Sequence, residues 1–129
     1  MANEIMVVLT NPAEGQEDEF NRFYDERHVP DVLALGPFVS AQRFRLAPAS
    51  LGSPEKYRYL AIYEIAEGRL EEARDVLVRL RAERDEAEAA GREPLLPVSP
   101  AIDDDRLTWL FEAVTERLEA PAAERAAAR

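Results

Sequence analysis

The sequence predicts an α+β domain of element order β-α-β-β-α-β, built on a four-stranded antiparallel sheet. Three observations carry this. A short apolar, β-branched run at residues 5–10 stops at Asn11-Pro12-Ala13-Glu14-Gly15. Residues 57–65 alternate tyrosines and Ala61 with Leu60 and Ile62, the clearest strand pattern in the chain. Between Gly68 and Gly91 lies a long segment rich in Leu, Ala, Glu and Arg, with Leu70, Ala73, Leu77 and Leu80 on one stripe. The order is that of a ferredoxin-like domain, in which two helices cover one face of the sheet. The other face needs a second cover, for which a second copy of the chain is the simplest candidate.

With 129 residues the chain suits one domain, expected over 1–118, followed by a flexible Ala-rich tail over 119–129. No apolar run approaches the length of a membrane span, and the acidic start at Asn3-Glu4 lacks the basic and apolar zones of a signal peptide. A cytoplasmic protein is therefore expected, with no membrane partner. The absence of cysteine removes disulfides, thiolate catalysis and cysteine-ligated metals, and a single histidine excludes a multi-histidine metal site. A formal net charge of -10 repels phosphate backbones, so no nucleic-acid partner is expected.

The first strand should be buried and followed by a helix from about Gln16, because Phe20, Phe23 and Tyr24 recur at three and four residues. Glu17, Asp18 and Glu19 suit a helix N-terminus. This helix is expected to end at Arg27 or His28, because Pro30 biases Val29 away from the α region; another turn is expected over 31–35 before Gly36-Pro37 stops it. His28 would then lie at a break between helical segments. Residues 38–46 alternate well enough for a second strand, and Pro, Ser and Gly between 48 and 54 make a loop. The tyrosine strand should meet a helix layer on one side and a wetter cavity or partner on the other. After the long helix, residues 93–100 are irregular yet apolar, as in a lid or a dimer contact. Residues 107–114 read as the last strand, with helix as the alternative through Leu118.

His28 is the one side chain whose ordinary pKa lies near neutrality, which makes it the candidate acid or base; a cap at a helix end is the alternative. Tyr24, four residues earlier on the same face, is placed to donate to a carbonyl or enolate oxygen, or simply to pack. Asp31, or Asp25, would orient the imidazole, unless Asp31 caps the next turn. Arg43 would hold a carboxylate or developing oxyanion, or form an intersubunit salt bridge. Tyr59, Tyr63, Trp109 and Phe111 are the candidate walls of a pocket for a flat aromatic molecule, with core packing as their alternative. Asn11 would donate to a ligand oxygen, or close an Asx turn with Pro12. Asp103-Asp104-Asp105 is a polar turn rather than a metal site, since adjacent carboxylates do not converge on one ion unaided. No Gly-rich nucleotide loop is present, so neither flavin nor nicotinamide is expected.

Asn11-Pro12, Glu19-Phe20, Tyr24-Asp25, His28-Val29-Pro30-Asp31 and Ala41-Gln42-Arg43-Phe44 together resemble the EthD-like branch of the dimeric α/β-barrel superfamily, over most of the first 65 residues. The resemblance implies two ferredoxin-like sheets paired face to face as a homodimer, with a pocket between sheet and helices in each protomer. It also implies an active-site use of the helix-one histidine, which maps onto His28. Relatives include polyketide cyclases, monooxygenases, lactone isomerases, dehydratases and proteins without known activity. Haem-binding relatives use a histidine as axial ligand, but the surroundings of His28 give no independent sign of haem.

The function expected from these readings is cofactor-independent proton transfer on a hydrophobic, carbonyl-bearing compound such as a polyketide or other polycyclic intermediate. Cyclisation, isomerisation or dehydration would each fit. A barrel that only binds its ligand is the alternative, and a cofactor-free monooxygenase a third reading. In each the partners are a small hydrophobic or aromatic ligand and a second copy of the chain, and neither cofactor nor metal is called for.

Overall fold

Alternation of apolar side chains across a pleated backbone sets the sheet. In the computed structural model, which describes residues 4–48, 51–52 and 54–122, four strands form: β1 (Ile5–Thr10), β2 (Phe38–Arg45), β3 (Tyr59–Ile65) and β4 (Leu107–Phe111). They lie in the order β2-β3-β1-β4, and each neighbouring pair is antiparallel. This is the predicted ferredoxin-like sheet. β3 starts at Tyr59 rather than Tyr57, and β4 stops at Phe111 rather than at residue 114. The helical alternative for the last segment is not adopted: residues 112–118 are exposed and carry no regular helix.

Register assigns the two faces. Met6, Val8 and Thr10 share a face with Tyr59, Ala61 and Tyr63, and all six are buried against the helices. The opposite face carries Ile5, Val7 and Leu9 beside Leu60 and Ile62, flanked by Phe44 on β2 and by Trp109 and Phe111 on β4. Phe44, Trp109 and Phe111 are between 41% and 47% exposed, so this apolar face has no cover among the described residues. The tyrosines of β3 therefore point to the helix layer, and its aliphatics to the open side.

The first helical stretch is not broken at His28. α1 (Glu17–Phe23) continues through a π-helical turn, Tyr24–His28, into α2 (Val29–Leu33), and His28 itself has α-helical backbone angles of -66° and -50°. The Val29 N–H donates to the Tyr24 carbonyl five residues back. A proline removes one helical donor and its ring crowds the carbonyl four residues earlier, here that of Glu26. The wider π turn relieves that crowding and lets the helix absorb Pro30 instead of ending.

α3 (Leu70–Ala90) buries Ala73, Val76 and Ala87. It ends on Gly91, whose left-handed φ of 70° lets Arg92 N–H reach the Ala87 carbonyl at 2.9 Å. The apolar segment after α3 folds back over helix one. Ala101 and Ile102 are buried on Phe20, Tyr24 and Tyr59, held by Ala13 N–H to Ala101 O at 2.6 Å and a bridge between Pro12 and Ile102. This end of the 93–102 segment is a cover supplied by the chain itself. No helix among the described residues is long and apolar enough to cross a membrane. Most of the expected tail, from residue 123 onward, lies outside the described residues.

Candidate functional site

The π turn brings Tyr24 and His28 to the sheet on one helical face. Their rings meet edge to face with centroids 5.0 Å apart, and Phe23 stacks on the imidazole at 5.7 Å. Opposite them on the sheet stand Thr10, Arg43, Tyr59 and Tyr63. Of the nine residues predicted for the site, this interlayer collects Tyr24, His28, Arg43, Tyr59 and Tyr63.

Two polar atoms here are buried without a hydrogen-bond partner: His28 Nδ1 and the Tyr63 hydroxyl. Buried polar groups are nearly always satisfied, so an orphan on each wall of one layer needs an explanation. Burial, reinforced by the Arg106 guanidinium and opposed by Asp31, lowers the His28 pKa to about 4. The imidazole is therefore neutral at neutral pH, with one N–H and one lone pair. Burial pushes the Tyr63 phenol well up, with neighbouring Tyr24 adding to the shift and Arg43 opposing it. Tyr24 is raised by burial too, partly offset by the Thr10 hydroxyl, Arg106 and Arg43. Both phenols thus stay protonated and are able to donate a hydrogen bond to a ligand rather than act as bases.

Arg43 reaches in from β2 and is already engaged. Nη1 donates to Asp25 Oδ1 at 2.6 Å and Nη2 to Asn21 Oδ1 at 2.8 Å. Its guanidinium carbon lies 4.8 Å from the Tyr24 ring centroid and 5.6 Å from those of Phe20 and Tyr59. The partner of Arg43 is thus within its own chain, and an oxyanion role would require it to leave Asp25. Asp25 is spent on Arg43, while Asp31 sits 3.8 Å from Arg27 and acts on His28 through its charge.

The remaining expectations separate. The Tyr59 hydroxyl is satisfied, donating to Glu17 and accepting from Asn21 Nδ2. Trp109 and Phe111 lie on the open face, so the sheet stands between them and Tyr59 and Tyr63; the four do not line one pocket. With Arg74, Thr108 and Leu110 they border an open cleft of about 720 Å³ along β4. A smaller one, about 210 Å³, lies at the other sheet edge between Glu17, Arg45 and Arg58. Asn11 spends its amide on backbone, donating to Lys56 O at 2.8 Å and accepting from Arg58 N–H at 2.9 Å. It extends the β1–β3 pairing past Thr10 as a clamp, neither a ligand donor nor a turn with Pro12. Asp103 and Asp105 are likewise tied up: Asp103 accepts from Asp105 N–H, and Asp105 from the Tyr57 hydroxyl. Among the described residues no three His, Cys, Asp or Glu side chains converge as metal ligands.

Sequence reasoning missed Thr10 and Arg106. Both lie on the parity of the buried face: Leu9 pairs with Leu107, so Thr10 and Arg106 stand one step further along the same register. Counting back by two from Leu110 and Thr108 was the available signal for Arg106.

Neither a family model nor a curated protein matches the sequence. Among solved structures, an EthD-like protein from Ralstonia eutropha JMP134 shares the fold, with a TM-score of 0.53 at 20% identity over 91% of this chain and 97% of that one. The chain has the fold of an EthD-like protein, as its helix-one and β2 motifs predict.

Proposed function

We propose, starting from that shared fold, that the chain is a cofactor-independent enzyme that moves a proton on a hydrophobic, carbonyl-bearing small molecule bound between helix one and the sheet. The observation that carries this reading is the pair of buried, unpartnered polar atoms, His28 Nδ1 and the Tyr63 hydroxyl, on the two walls around Tyr24. A carbonyl compound between them would accept from a phenol and present an acidic C–H or O–H to the imidazole lone pair. Tyr24 and Tyr63 would then stabilise the enolate, and His28 would act as the base. Cyclisation, isomerisation and dehydration all use such a step.

Access requires movement. Tyr24 is 3% and Tyr63 1% exposed, and Ala101 and Ile102 cover the helix-one side of the layer. The segment around residue 101 is the part whose displacement would admit a ligand without unpacking the sheet. The same reading covers the open sheet face with a second copy, in keeping with its apolar rows of Leu60, Ile62, Val7 and Trp109.

A ligand-binding protein without chemistry is the second reading, favoured by the low basicity of His28. The two separate on His28→Gln assayed with a panel of aromatic polyketide-like ketones. Loss of turnover by at least about a hundredfold with binding retained is the expected result; ketones bound but never converted by the wild type would leave the binding reading standing instead.

A further inference from the structure

We propose that Arg106 is the anion-binding residue of this site and that the preferred ligand is a hydrophobic, flat molecule bearing a carboxylate or comparably delocalised anion. The inference rests on the reading that a ligand occupies the layer between helix one and the sheet. Three observations carry it.

Register comes first. Arg106 stands immediately before β4, one step beyond the Leu9–Leu107 pair, where alternation puts it on the helix-side face next to Thr10 and in line with Tyr59. Thr10 is buried and its hydroxyl lies beside the Tyr24 phenol. The backbone thus delivers Arg106 to the same end of the interlayer as Tyr24.

Pairing comes second. Arg43, the other arginine at Tyr24, is held by Asp25 and Asn21. Half-buried Arg106 makes no ion pair and no side-chain hydrogen bond among the described residues, although Asp103, Asp104 and Asp105 precede it directly. Asp105 turns instead to Tyr57 and Lys56. In a chain of net charge -10, a guanidinium left without a carboxylate, yet near enough for its charge to act on His28, whose Nδ1 is orphaned, is placed for an incoming anion.

The electrical coupling comes third. The Arg106 charge acts on both Tyr24 and His28, disfavouring the imidazolium. An anion bound at Arg106 would cancel that repulsion, making His28 a stronger base only when the ligand is present. The walls suit a flat hydrophobic body: Phe20, Phe23, Tyr24 and Tyr59 supply aromatic surface.

The test uses the fact that the chain has one histidine, so its imidazole C–H resonances need no assignment. Wild type, Arg106→Gln and Arg106→Lys are titrated by NMR, and 2-naphthoate and 2-naphthamide are compared by calorimetry at pH 7. Arg106→Gln is expected to raise the His28 pKa, and Arg106→Lys to keep it low. Naphthoate should bind wild type roughly tenfold more tightly than the amide, with the preference lost in Arg106→Gln. Identical His28 titrations in all three proteins, or equal binding of both probes unchanged in Arg106→Gln, would overturn the inference while leaving the site in place. If neither probe binds nor shifts the His28 resonances, the site reading falls and this inference with it. The lysine variant keeps the titration informative should the glutamine variant not fold.

Discussion

The Tyr24 ring stands edge-on to the His28 imidazole, at a centroid distance of 5.0 Å and an interplanar angle of 74°, because a π-helical turn spans the two residues. The turn exists because Pro30 follows it, so an exposed residue on the outer side of the helix sets the geometry of the candidate base.

Burial of His28 makes stability depend on acid. The folded pKa of about 4 lies below the ordinary value of 6.5, so between these limits the unfolded chain binds a proton that the folded chain refuses. The contribution is complete above pH 6.5 and is lost as pH falls toward 4, amounting to about 3 kcal/mol over the whole window. Urea unfolding of wild type and His28→Gln at pH 7.5 and 4.5 checks this: the variant should lose less stability between the two pH values. Carboxylate titrations are common to both proteins and cancel in the comparison. Equal losses would mean that the imidazole is solvated.

Arg43 holds the π turn to β2 with a fork and three aromatic faces, which a lysine cannot reproduce. Arg43→Lys is expected to destabilise by about 1–3 kcal/mol. Asp25→Asn should cost less than about 1 kcal/mol, since the Asp25 side chain is 65% exposed. Chemical denaturation of the two variants gives the comparison, and a larger loss from Asp25→Asn would show that the ion pair, not the stacking, carries the attachment.

Asn11 supplies both halves of an amide clamp to β3's approach, so Asn11→Asp keeps the acceptor for Arg58 N–H and loses the donor to Lys56 O. A loss of about 1 kcal/mol is expected, with Asn11→Ala costing more because the Arg58 N–H is stranded as well. Unfolding midpoints that do not rank in this order would return Asn11 to the ligand-contacting set.

Strand identity and order were legible because period-two alternation is local: Met6, Val8 and Thr10, or Tyr59, Ala61 and Tyr63, mark their own face. The identity of that face was harder. Trp109 and Phe111 share a face with Ile62 rather than Tyr63 only through the β1–β3 and β1–β4 registers, which are tertiary facts. The helix through Pro30 was misread as broken, since the local rule for proline takes no account of a π turn that accommodates it. Arg43 was legible as a strand cation, but its ties to Asp25 and Asn21 depend on how helix one seats on β2.

The open face of the sheet makes the last prediction. Trp109 and Phe111 stand edge to face at 6.2 Å on the edge strand, and the rows beside them continue through Val7, Ile5 and Ile62 to Phe44. A second copy laid on this face would bury both aromatics, while two chains of net charge -10 repel one another. Association should therefore strengthen as salt rises, because screening weakens the repulsion and leaves the apolar term. Sedimentation equilibrium is expected to show a dimer at micromolar concentration. Trp109→Glu should raise the dissociation constant by at least about a hundredfold, since each copy loses a large apolar contact and gains a buried charge. A wild type that stays monomeric at all salt concentrations would leave the face to some other cover; a dimer indifferent to Trp109→Glu would place the interface elsewhere on the surface.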